Sequence, residues 1–204
     1  MFNRGLNNVN NKKNISWQPV KVSSEDRYQI MNQWGQVVWL TGLSGAGKST
    51  IAVELEKTLL LDYGKAAYCL DGDNIRHGLN NDLGFSPGDR DENIRRIAEV
   101  AALFKDAGII TIVSFISPYR QMREFARRCV GDQYFKEVYV KADLTTCLER
   151  DPKGLYKKAL DGEIKNFTGI SAPYQEPQNP ELIVDTTSST IKESVTAVLS
   201  LIML

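Results

Sequence analysis

A glycine-rich segment of eight residues constrains the fold of this chain more than any other part of its sequence. Residues 42–49 have the sequence GLSGAGKS, which matches the pattern G-x-x-x-x-G-K-[ST]. The apolar run at residues 36–40 predicts a buried strand before the segment, and apolar residues at helical spacing predict a helix over residues 48–61. Because a phosphate-binding loop lies between a strand and a helix, this context supports the motif over a chance glycine turn.

The chemistry of the segment suits a nucleoside triphosphate. Glycines allow backbone N–H groups to turn toward a phosphate, and the N-terminus of the following helix adds partial positive charge. Lys48 supplies a positive charge for the β- and γ-phosphates, and the Ser49 hydroxyl is placed to bind Mg²⁺. The predicted nucleotide-binding residues are Gly42, Leu43, Ser44, Gly45, Ala46, Gly47, Lys48, Ser49 and Thr50.

The rest of the chain alternates between short apolar segments and amphipathic segments. The further predicted strands and helices cover residues 66–70, 89–107, 109–115, 118–130, 135–140, 182–184 and 191–204. This alternation predicts an α/β fold of the P-loop NTPase type, a three-layer sandwich with a mainly parallel five-stranded sheet. Pro118 is expected in the first turn of its helix. Residues 150–180, rich in Lys, Gly, Pro and Tyr, are expected to form a mobile lid.

Length and local composition predict one domain with an N-terminal extension. The 204 residues suit a single domain, which we place at residues 34–204, with residues 1–33 as a leader or extension. Residues 1–16 are rich in Asn and lack the apolar core of a secretion signal, so a flexible leader and a cytoplasmic location are expected. The longest apolar runs fall short of the roughly 20 residues that cross a bilayer, so no membrane partner is expected.

Charge and metal-ligating residues exclude several classes of function. Lys and Arg number 25, and Asp and Glu also number 25, so the chain lacks the positive excess of a general nucleic-acid binder. Its three cysteines contain no CxxC pair, which argues against a zinc site or a disulfide scaffold. His77 is the single histidine, which excludes a histidine-rich metal centre.

The phosphate loop alone does not say what is done with the nucleotide. A GTPase switch would need an N-K-x-D sequence after a later strand, and the chain has none there. Small-molecule kinases are therefore the leading class, with an acceptor site at the loops after the second and third strands. Asp71 and Asp73 follow the second predicted strand, where they could hold Mg²⁺ or accept a proton from an attacking hydroxyl. A helix cap is an equal alternative for Asp73, whereas the catalytic interpretation is the stronger one for Asp71.

Three further side chains suit an anionic acceptor that carries a base. Arg76 and Arg90 could hold negatively charged groups, and Phe85 could offer its ring face to the base. Taken singly, such residues are more often surface arginines and core phenylalanines than ligand contacts. Their value as candidates comes from their occurrence together after the second strand.

The combined motifs of the chain resemble the adenylyl-sulfate kinase family. They are GLSGAGKST, LDGDNIRHGLN-DLGFS, DR-ENIRR, FISPYR, DPKGLYKKA and FTG-APY, and the resemblance covers residues 34–187. It implies ATP-dependent phosphorylation of the 3′-hydroxyl of adenosine 5′-phosphosulfate (adenylyl sulfate, APS), with Mg²⁺ as cofactor. The products would be ADP and 3′-phosphoadenosine 5′-phosphosulfate, an intermediate of sulfate assimilation. Members of the family are commonly homodimers, so a homodimer is expected.

The resemblance also implies roles for particular residues. Asp71 matches the aspartate near the metal and the acceptor hydroxyl, and Lys153 matches a basic residue that closes over the phosphates. Ser117 matches a serine regarded in the family as a phosphoserine intermediate, which gives it a catalytic role. The residues matched to acceptor binding, including an aromatic clamp on the adenine, are Arg76, Phe85, Arg90, Asn93, Ile116, Ser117 and Phe167.

The physical chemistry of Ser117 favours a simpler role. Phosphoryl transfer mainly needs positioning and charge neutralisation, so direct transfer to the acceptor hydroxyl requires no covalent serine. A serine before Pro118 at the end of a strand is also a natural helix cap. We therefore predict that Ser117 caps the helix and that its backbone contacts the substrate.

The lid departs from the usual family sequence G-F-T-G-I-D-A-P-Y-E at three positions. Asn166, Ser171 and Gln175 replace a glycine and two acids, so the substitutions are expected to affect lid closure and substrate affinity rather than the chemistry.

Two other functions remain as alternatives. One is a P-loop kinase for a nucleoside monophosphate or a sugar acid, and the other is a non-catalytic domain that only binds the nucleotide product. The intact Lys48 and Asp71 argue against the second.

Overall fold

Five parallel strands form the centre of the molecule. The computed structural model describes residues 15–16 and 18–203, so most of the predicted flexible leader at residues 1–16 lies outside the described residues. The strands are β1 (Gln36–Thr41), β2 (Ala67–Asp71), β3 (Ile110–Ser114), β4 (Phe135–Lys141) and β5 (Leu182–Asp185). They pair in the order β2-β3-β1-β4-β5, and every pair is parallel. The predicted parallel sheet of five strands is confirmed.

Helices connect the strands and cover both faces of the sheet. They are α1 (Ser24–Met31), α2 (Lys48–Leu61), α3 (Gly72–Arg76), α4 (Pro87–Asp106), α5 (Arg120–Val130), α6 (Leu144–Arg150), α7 (Leu155–Leu160) and α8 (Ile191–Ile202). A short 3₁₀ helix (Asp132–Tyr134) precedes β4. In the described part of the chain, no helix is both long and apolar enough to cross a membrane.

The two faces of the sheet pack against different helices. Along β1, Val38 and Leu40 lie in the apolar cluster that contains the buried sides of α2 and α8. Val37 and Trp39 point the other way, into the cluster formed with α4 and α5. All four side chains are fully buried, as expected for a central strand of a parallel sheet. The predicted three-layer sandwich is therefore confirmed.

The order of the strands places the functional loops together. The strands β3 and β4 lie on opposite sides of β1. The connection that leaves β1 runs through α2 on one face of the sheet to β2, and the connection that leaves β3 runs through α5 on the other face to β4. The two connections diverge at the carboxyl ends of β1 and β3, which is where ligands bind in open α/β sheets. Ser114 ends β3 and stands level with Asp71 on one side and with Leu40 on the other. The ends of β1, β2 and β3 therefore form one edge, directly beside the phosphate loop.

Residues 150–180, the predicted lid, are anchored by two aromatic side chains. Tyr156 on α7 and Phe167 are buried in the same apolar cluster as α2 and α8. Their rings meet edge to face, with centroids 4.9 Å apart. An edge-to-face pair of this kind is a favourable aromatic arrangement. The segment is thus attached to the core through its middle, while its two ends reach the nucleotide loop and the loop after β3.

The start of α5 differs from the sequence-based expectation. The helix begins at Arg120, and its N-cap is Tyr119, whose side chain makes no capping hydrogen bond. Pro118 therefore lies before the helix, and the predictions that Pro118 occupies the first turn and that Ser117 caps the helix are wrong. The physical reason is the backbone of Ser117, whose φ of +39° is left-handed, whereas an N-cap residue has an extended backbone.

Candidate functional site

A cleft of about 1110 Å³ opens at the carboxyl edge of the sheet. The phosphate loop and the start of α2 form one end of it, and the loops after β2 and β3 form the other. The lid contributes Lys153 and Phe167 from above. All predicted acceptor-side residues line this cleft, and so do most of the predicted nucleotide-binding residues. The exceptions are Gly42, Leu43 and Ala46, which belong to the phosphate loop but do not line the cleft.

The glycines of the phosphate loop occupy backbone conformations that other residues avoid. Gly42, Gly45 and Gly47 have φ angles of +153°, +75° and +96°. At Gly42 a side chain is also excluded by space, because a Cβ atom would lie 2.2 Å from the carbonyl oxygen of Val140 on β4. The loop can therefore take this path only with glycine at these positions.

Lys48 is held against the loop that precedes it. Its ammonium group donates hydrogen bonds to the carbonyl oxygens of Gly42 at 3.0 Å and Leu43 at 2.7 Å. The side chain is 8% exposed. Burial lowers the pKa of Lys48 to about 8, because removing an ammonium group from water disfavours its charged form. The group remains a cation at neutral pH, placed at the start of α2 where anions bind.

Ser49 and Asp71 meet across the edge of the sheet. The Ser49 hydroxyl donates to Oδ2 of Asp71 at 2.6 Å and lies 3.3 Å from the hydroxyl of Ser114. Asp71 Oδ1 accepts a hydrogen bond from the backbone N–H of Asp73 at 3.0 Å, so Asp71 caps α3. The helix cap considered for Asp73 is therefore provided by Asp71, which combines this role with a place in the cleft.

This oxygen pair fits a magnesium ion bound together with a nucleotide. Mg²⁺ prefers hard oxygen ligands and commonly takes one or two from the protein, with substrate phosphates and water completing its octahedron. The hydroxyl of Ser49 and the carboxylate of Asp71 are such ligands. The described residues contain no cluster of three or more His, Cys, Asp or Glu side chains that could hold a metal by themselves. The donor set therefore suits a metal that arrives with phosphates.

Arg76 and Phe85 form a cation–π pair on the acceptor side of the cleft. The guanidinium carbon of Arg76 lies 4.4 Å from the centroid of the Phe85 ring. Arg76 also donates to the carbonyl oxygens of Leu83 at 3.2 Å and Gly84 at 3.0 Å. The ring itself is largely exposed. A planar aromatic surface backed by a cation is thus presented at the mouth of the cleft.

Arg90 joins α4 to the lid. Its guanidinium group donates to the carbonyl oxygen of Asn166 at 2.5 Å and to the hydroxyl of Thr168 at 2.8 Å. A third bond reaches the carbonyl oxygen of Phe85 at 3.1 Å. Two of these partners, Asn166 and Thr168, flank Phe167, and the third is Phe85 itself. Arg90 therefore connects Phe85 and Phe167, the two predicted halves of the aromatic clamp. Burial lowers the pKa of Arg90 from its usual value, yet an arginine stays charged.

Asn93 is oriented by a residue that sequence reasoning missed. It is nearly buried, and its Oδ1 atom accepts a hydrogen bond of 2.9 Å from the amide of Asn80. Asn80 is itself fully buried. It belongs to the string LDGDNIRHGLN that carried part of the resemblance, but a single asparagine gives no signal that it supports another one.

The hydroxyl of Ser117 is buried and engaged. It accepts a hydrogen bond of 3.0 Å from the indole N–H of Trp39, and the residue is 2% exposed. The preceding carbonyl group, that of Ile116, accepts a bond of 2.7 Å from the Thr41 hydroxyl. Ile116 and Ser117 therefore reach the cleft in conformations that two side chains of β1, Trp39 and Thr41, hold by hydrogen bonds.

Lys153 pairs with Asp73 across the opening of the cleft. The ion pair joins the lid to the loop after β2, and both side chains are more than half exposed. Surface ion pairs of this kind contribute little free energy. Lys153 can therefore leave Asp73 for a phosphate without a large cost.

Arg150, the first residue of the predicted lid, also contacts the nucleotide loop. It donates to the carbonyl oxygen of Gly45 at 3.3 Å and to the hydroxyl of Thr186 at 3.0 Å. Thr186 in turn donates to the carbonyl oxygen of Ala46 at 2.9 Å. No sequence pattern could link these residues, because Thr186 follows β5 and lies far along the chain from the loop.

The three residues at which the lid departs from the family sequence each have a defined place in the structure. Asn166 adopts a left-handed backbone with φ of +57°, which Asn tolerates better than most residues that could replace glycine. The Ser171 hydroxyl accepts a hydrogen bond of 2.9 Å from the backbone N–H of Phe167. Oε1 of Gln175 accepts one of 3.0 Å from the backbone N–H of Arg120. Each of the three residues thus fits the local backbone of the lid or accepts a hydrogen bond in it.

Comparison with known proteins assigns the family. The model of the adenylylsulphate kinase family matches residues 34–185. The adenylyl-sulfate kinase of Staphylococcus carnosus is 56% identical over 183 residues, which cover 90% of this chain and 92% of that protein. An APS kinase structure from Mycobacterium tuberculosis in complex with AMPPNP and APS has a TM-score of 0.81 and 48% identity, and the match covers 84% of this chain and 99% of that one. A hexameric APS kinase from Thiobacillus denitrificans has a TM-score of 0.64 and 34% identity, covering 85% of this chain and 29% of that one. The chain therefore belongs to the adenylyl-sulfate kinase family, whose members are kinases that transfer phosphate to an alcohol group.

Proposed function

We propose that this chain transfers the γ-phosphate of ATP to the 3′-hydroxyl of adenylyl sulfate, giving 3′-phosphoadenosine 5′-phosphosulfate and ADP in sulfate assimilation. One observation carries the proposal. A single cleft holds the phosphate loop at one end and the cationic and aromatic set of Arg76, Phe85 and Arg90 at the other, with Asp71 between them. The relative solved with AMPPNP and APS supports this choice of substrates.

The nucleotide end of the cleft binds the triphosphate of ATP. Backbone N–H groups of the loop and the start of α2 surround the phosphates, and Lys48 turns from its carbonyl partners to the β- and γ-phosphates. As the lid, residues 150–180, closes over the phosphates, Lys153 leaves Asp73 and adds a second cation. Bound Mg²⁺, held by Ser49 and Asp71, would neutralise charge on the transferred group.

The acceptor end orients the adenylyl sulfate. Phe85 and Phe167 hold the adenine ring, and Arg76, Arg90 and Asn93 bind the polar edges and the negative charges of the acceptor. These guanidinium groups are held by protein acceptors, so they place fixed positive charge beside the acceptor and help to position the ribose relative to the γ-phosphate. Because little covalent chemistry is needed, this alignment supplies much of the rate enhancement.

The 3′-hydroxyl attacks the γ-phosphorus directly, and the Asp71 carboxylate accepts its proton. Asp71 already accepts a hydrogen bond of 2.6 Å from a hydroxyl group, that of Ser49, at the position where the two ends of the cleft meet. The carboxylate also fits the choice of base, because the chain has a single histidine. The bond from the γ-phosphorus to the leaving oxygen of ADP breaks as the new P–O bond forms, so no phosphoserine at Ser117 is needed.

Two other functions share parts of this site. A kinase for a nucleoside monophosphate or a sugar acid would use Lys48 but has no need for the combined Phe85, Arg90, Asn93 and Phe167. A domain that only binds the nucleotide product would not need Lys48, Ser49 and Asp71 together. ADP release measured with adenylyl sulfate, AMP and gluconate as acceptors separates the three possibilities.

The proposal also covers the domain bounds, the cellular location and the oligomeric state of the enzyme. We place the kinase domain at residues 34–204, with residues 1–33 as an extension, and we place the chain in the cytoplasm, where ATP is available. We propose a homodimer as the working assembly, which light scattering on the purified full chain tests. A hexamer, the state of the Thiobacillus denitrificans relative, would contradict it.

A further inference from the structure

Arg123, on α5, is a buried cation that contacts three separate parts of the chain. Its Nε atom donates to Oε1 of Glu137 on β4 at 2.6 Å. Its two terminal nitrogens donate to the carbonyl oxygens of Ser117 at 2.7 Å and Gln175 at 2.7 Å. Arg123 is 3% exposed, and Glu137 is also buried. A buried guanidinium group is stable only when its charge and its N–H donors are partnered in this way.

The first consequence concerns the loop after β3. Ser117 has a φ of +39°, which is costly for a residue that carries a side chain. Such a conformation persists only where its surroundings fix it from several directions. Trp39 binds the side chain of Ser117, and Arg123 binds its carbonyl group. Two buried side chains therefore fix the conformation of this loop, which forms part of the cleft wall.

The second consequence concerns the C-terminal end of the lid. Arg123 holds the carbonyl group of Gln175, whose own N–H donates to the carbonyl oxygen of Pro118 at 2.8 Å. The neighbouring Tyr174 hydroxyl lies 3.0 Å from the hydroxyl of Thr41, which also bonds the carbonyl oxygen of Ile116. This end of the lid and the loop after β3 are therefore fastened to each other and to one guanidinium group.

We infer that Arg123 is a positioning residue for the acceptor site, which couples the loop after β3 to the C-terminal end of the lid. The inference rests on the proposed function, because it assigns these two elements to the acceptor. Phe167 and Thr168 lie a few residues before this fastened end, and Thr168 holds Arg90. Loosening at Gln175 would therefore reach Thr168 and Arg90 along this segment, while Phe167 stays anchored in the core and the nucleotide loop keeps its own contacts.

The substitution R123K tests the coupling. Lysine keeps the positive charge beside Glu137 but lacks the planar fork that reaches three partners. We expect the KM for adenylyl sulfate to rise by about tenfold or more, the loss that follows from breaking hydrogen bonds to a charged group. The KM for ATP should stay unchanged. A purely structural role would predict instead that both KM values rise together.

The matched control is R127K. Arg127 lies one helical turn further along α5, and its hydrogen bonds go to Asp132 and Glu181. It lies 3.7 Å from the same Glu137, so R127K disturbs a similar ion pair. We expect R127K to leave the KM for adenylyl sulfate unchanged. Equal effects of R123K and R127K on this KM would overturn the inference.

Hydrogen exchange gives a readout that does not depend on substrate. In the full chain without substrates, R123K should accelerate backbone exchange at the amides of residues 115–117 and 174–176 together, whereas R127K should accelerate neither. Acceleration of one segment without the other would contradict the coupling. If R123K does not fold, E137Q, which keeps the shape of the partner and removes its charge, should give the same joint acceleration, and its absence would overturn the inference.

The two proposals fail in different ways. If the unmodified chain does not phosphorylate adenylyl sulfate, the proposed function fails, and the exchange measurement still decides whether Arg123 couples the two segments. If the unmodified chain is active and R123K retains its KM for adenylyl sulfate, the inference alone fails.

Discussion

The Ser49 hydroxyl, in the first turn of α2, donates a 2.6 Å hydrogen bond to the Asp71 carboxylate, although the strand before α2 and the strand that ends at Asp71 are not neighbours in the sheet. Ser49 follows β1 and Asp71 ends β2, with β3 between the two strands. The contact exists because all three strands are parallel and end at the same edge. It marks the point where the nucleotide end and the acceptor end of the cleft meet.

The first prediction concerns the carboxylate of Asp71. We expect D71N to lower kcat by about a hundredfold or more, since an amide neither accepts the proton nor provides a charged metal ligand. Asn caps helices as well as Asp, so the melting temperature should change little. The control is D73N, which removes the partner of Lys153 but leaves Asp71 in place. A D71N enzyme with a kcat close to that of D73N would remove Asp71 from the mechanism.

The second prediction uses the pH dependence of Lys48. Its pKa in the folded chain is about 8, below that of an exposed lysine, so the folded chain binds fewer protons than the unfolded chain between pH 8 and the ordinary lysine range. In the absence of ATP, the free energy of unfolding should therefore increase, and the chain become more stable, as pH rises through this window. Affinity for ATP should fall over the same range, because the binding cation loses its proton. Calorimetric titration with ATP at several pH values measures this fall.

The control for Lys48 is K48M, which keeps a long apolar side chain without a charge. It should bind ATP weakly at every pH, and the fall in affinity above pH 8 seen in the unmodified chain should be absent. Because the buried ammonium group costs free energy at neutral pH, K48M should be at least as stable as the unmodified chain. An equal fall of affinity in both proteins would assign the titration to another group.

The third prediction separates structure from chemistry at Ser117. We expect S117A to keep most of the kcat and to lose about 1–3 kcal/mol of stability, because the indole N–H of Trp39 is left buried without an acceptor. Denaturant unfolding and steady-state kinetics of the same preparation measure both quantities. A loss of kcat as large as that of K48A would show that the hydroxyl takes part in phosphoryl transfer.

The fourth prediction concerns Arg90, which binds both Phe85 and Thr168. R90A should raise the KM for adenylyl sulfate by about tenfold or more and leave the KM for ATP unchanged, because both its charge and its hold on the lid are lost. The control is R95A on the same helix, where Arg95 forms an exposed ion pair with Glu92. Equilibrium binding of adenylyl sulfate that is the same in R90A and R95A would exclude Arg90 from the acceptor site.

The sequence predicts the parts of this molecule that depend on local pattern. The phosphate loop follows from its glycines and Lys48, and the three-layer fold follows from apolar segments that alternate with amphipathic ones. These features need only neighbouring residues, so periodicity and motif spacing are enough to find them. The resemblance then locates the acceptor-side residues that the structure brings to one cleft.

Features that depend on distant contacts could not be predicted in this way. The left-handed backbone of Ser117 is fixed by Trp39 and Arg123, so the local Ser-Pro sequence predicted a helix cap that does not form. The supporting roles of Asn80 and Arg150 likewise depend on partners that only the fold brings close. Sequence reasoning therefore finds the groups that touch ligands more readily than those that hold them in place.

The most direct test of the proposed function is a coupled assay of ADP formation by the purified full chain with Mg²⁺-ATP. With adenylyl sulfate as acceptor, we expect rapid ADP release matched by formation of 3′-phosphoadenosine 5′-phosphosulfate. The kcat/KM for adenylyl sulfate should be at least about a hundredfold above that for AMP or gluconate, because these smaller acceptors would leave charged groups of the site without partners. ADP formation that does not depend on adenylyl sulfate, or that proceeds equally well with AMP or gluconate, would contradict it.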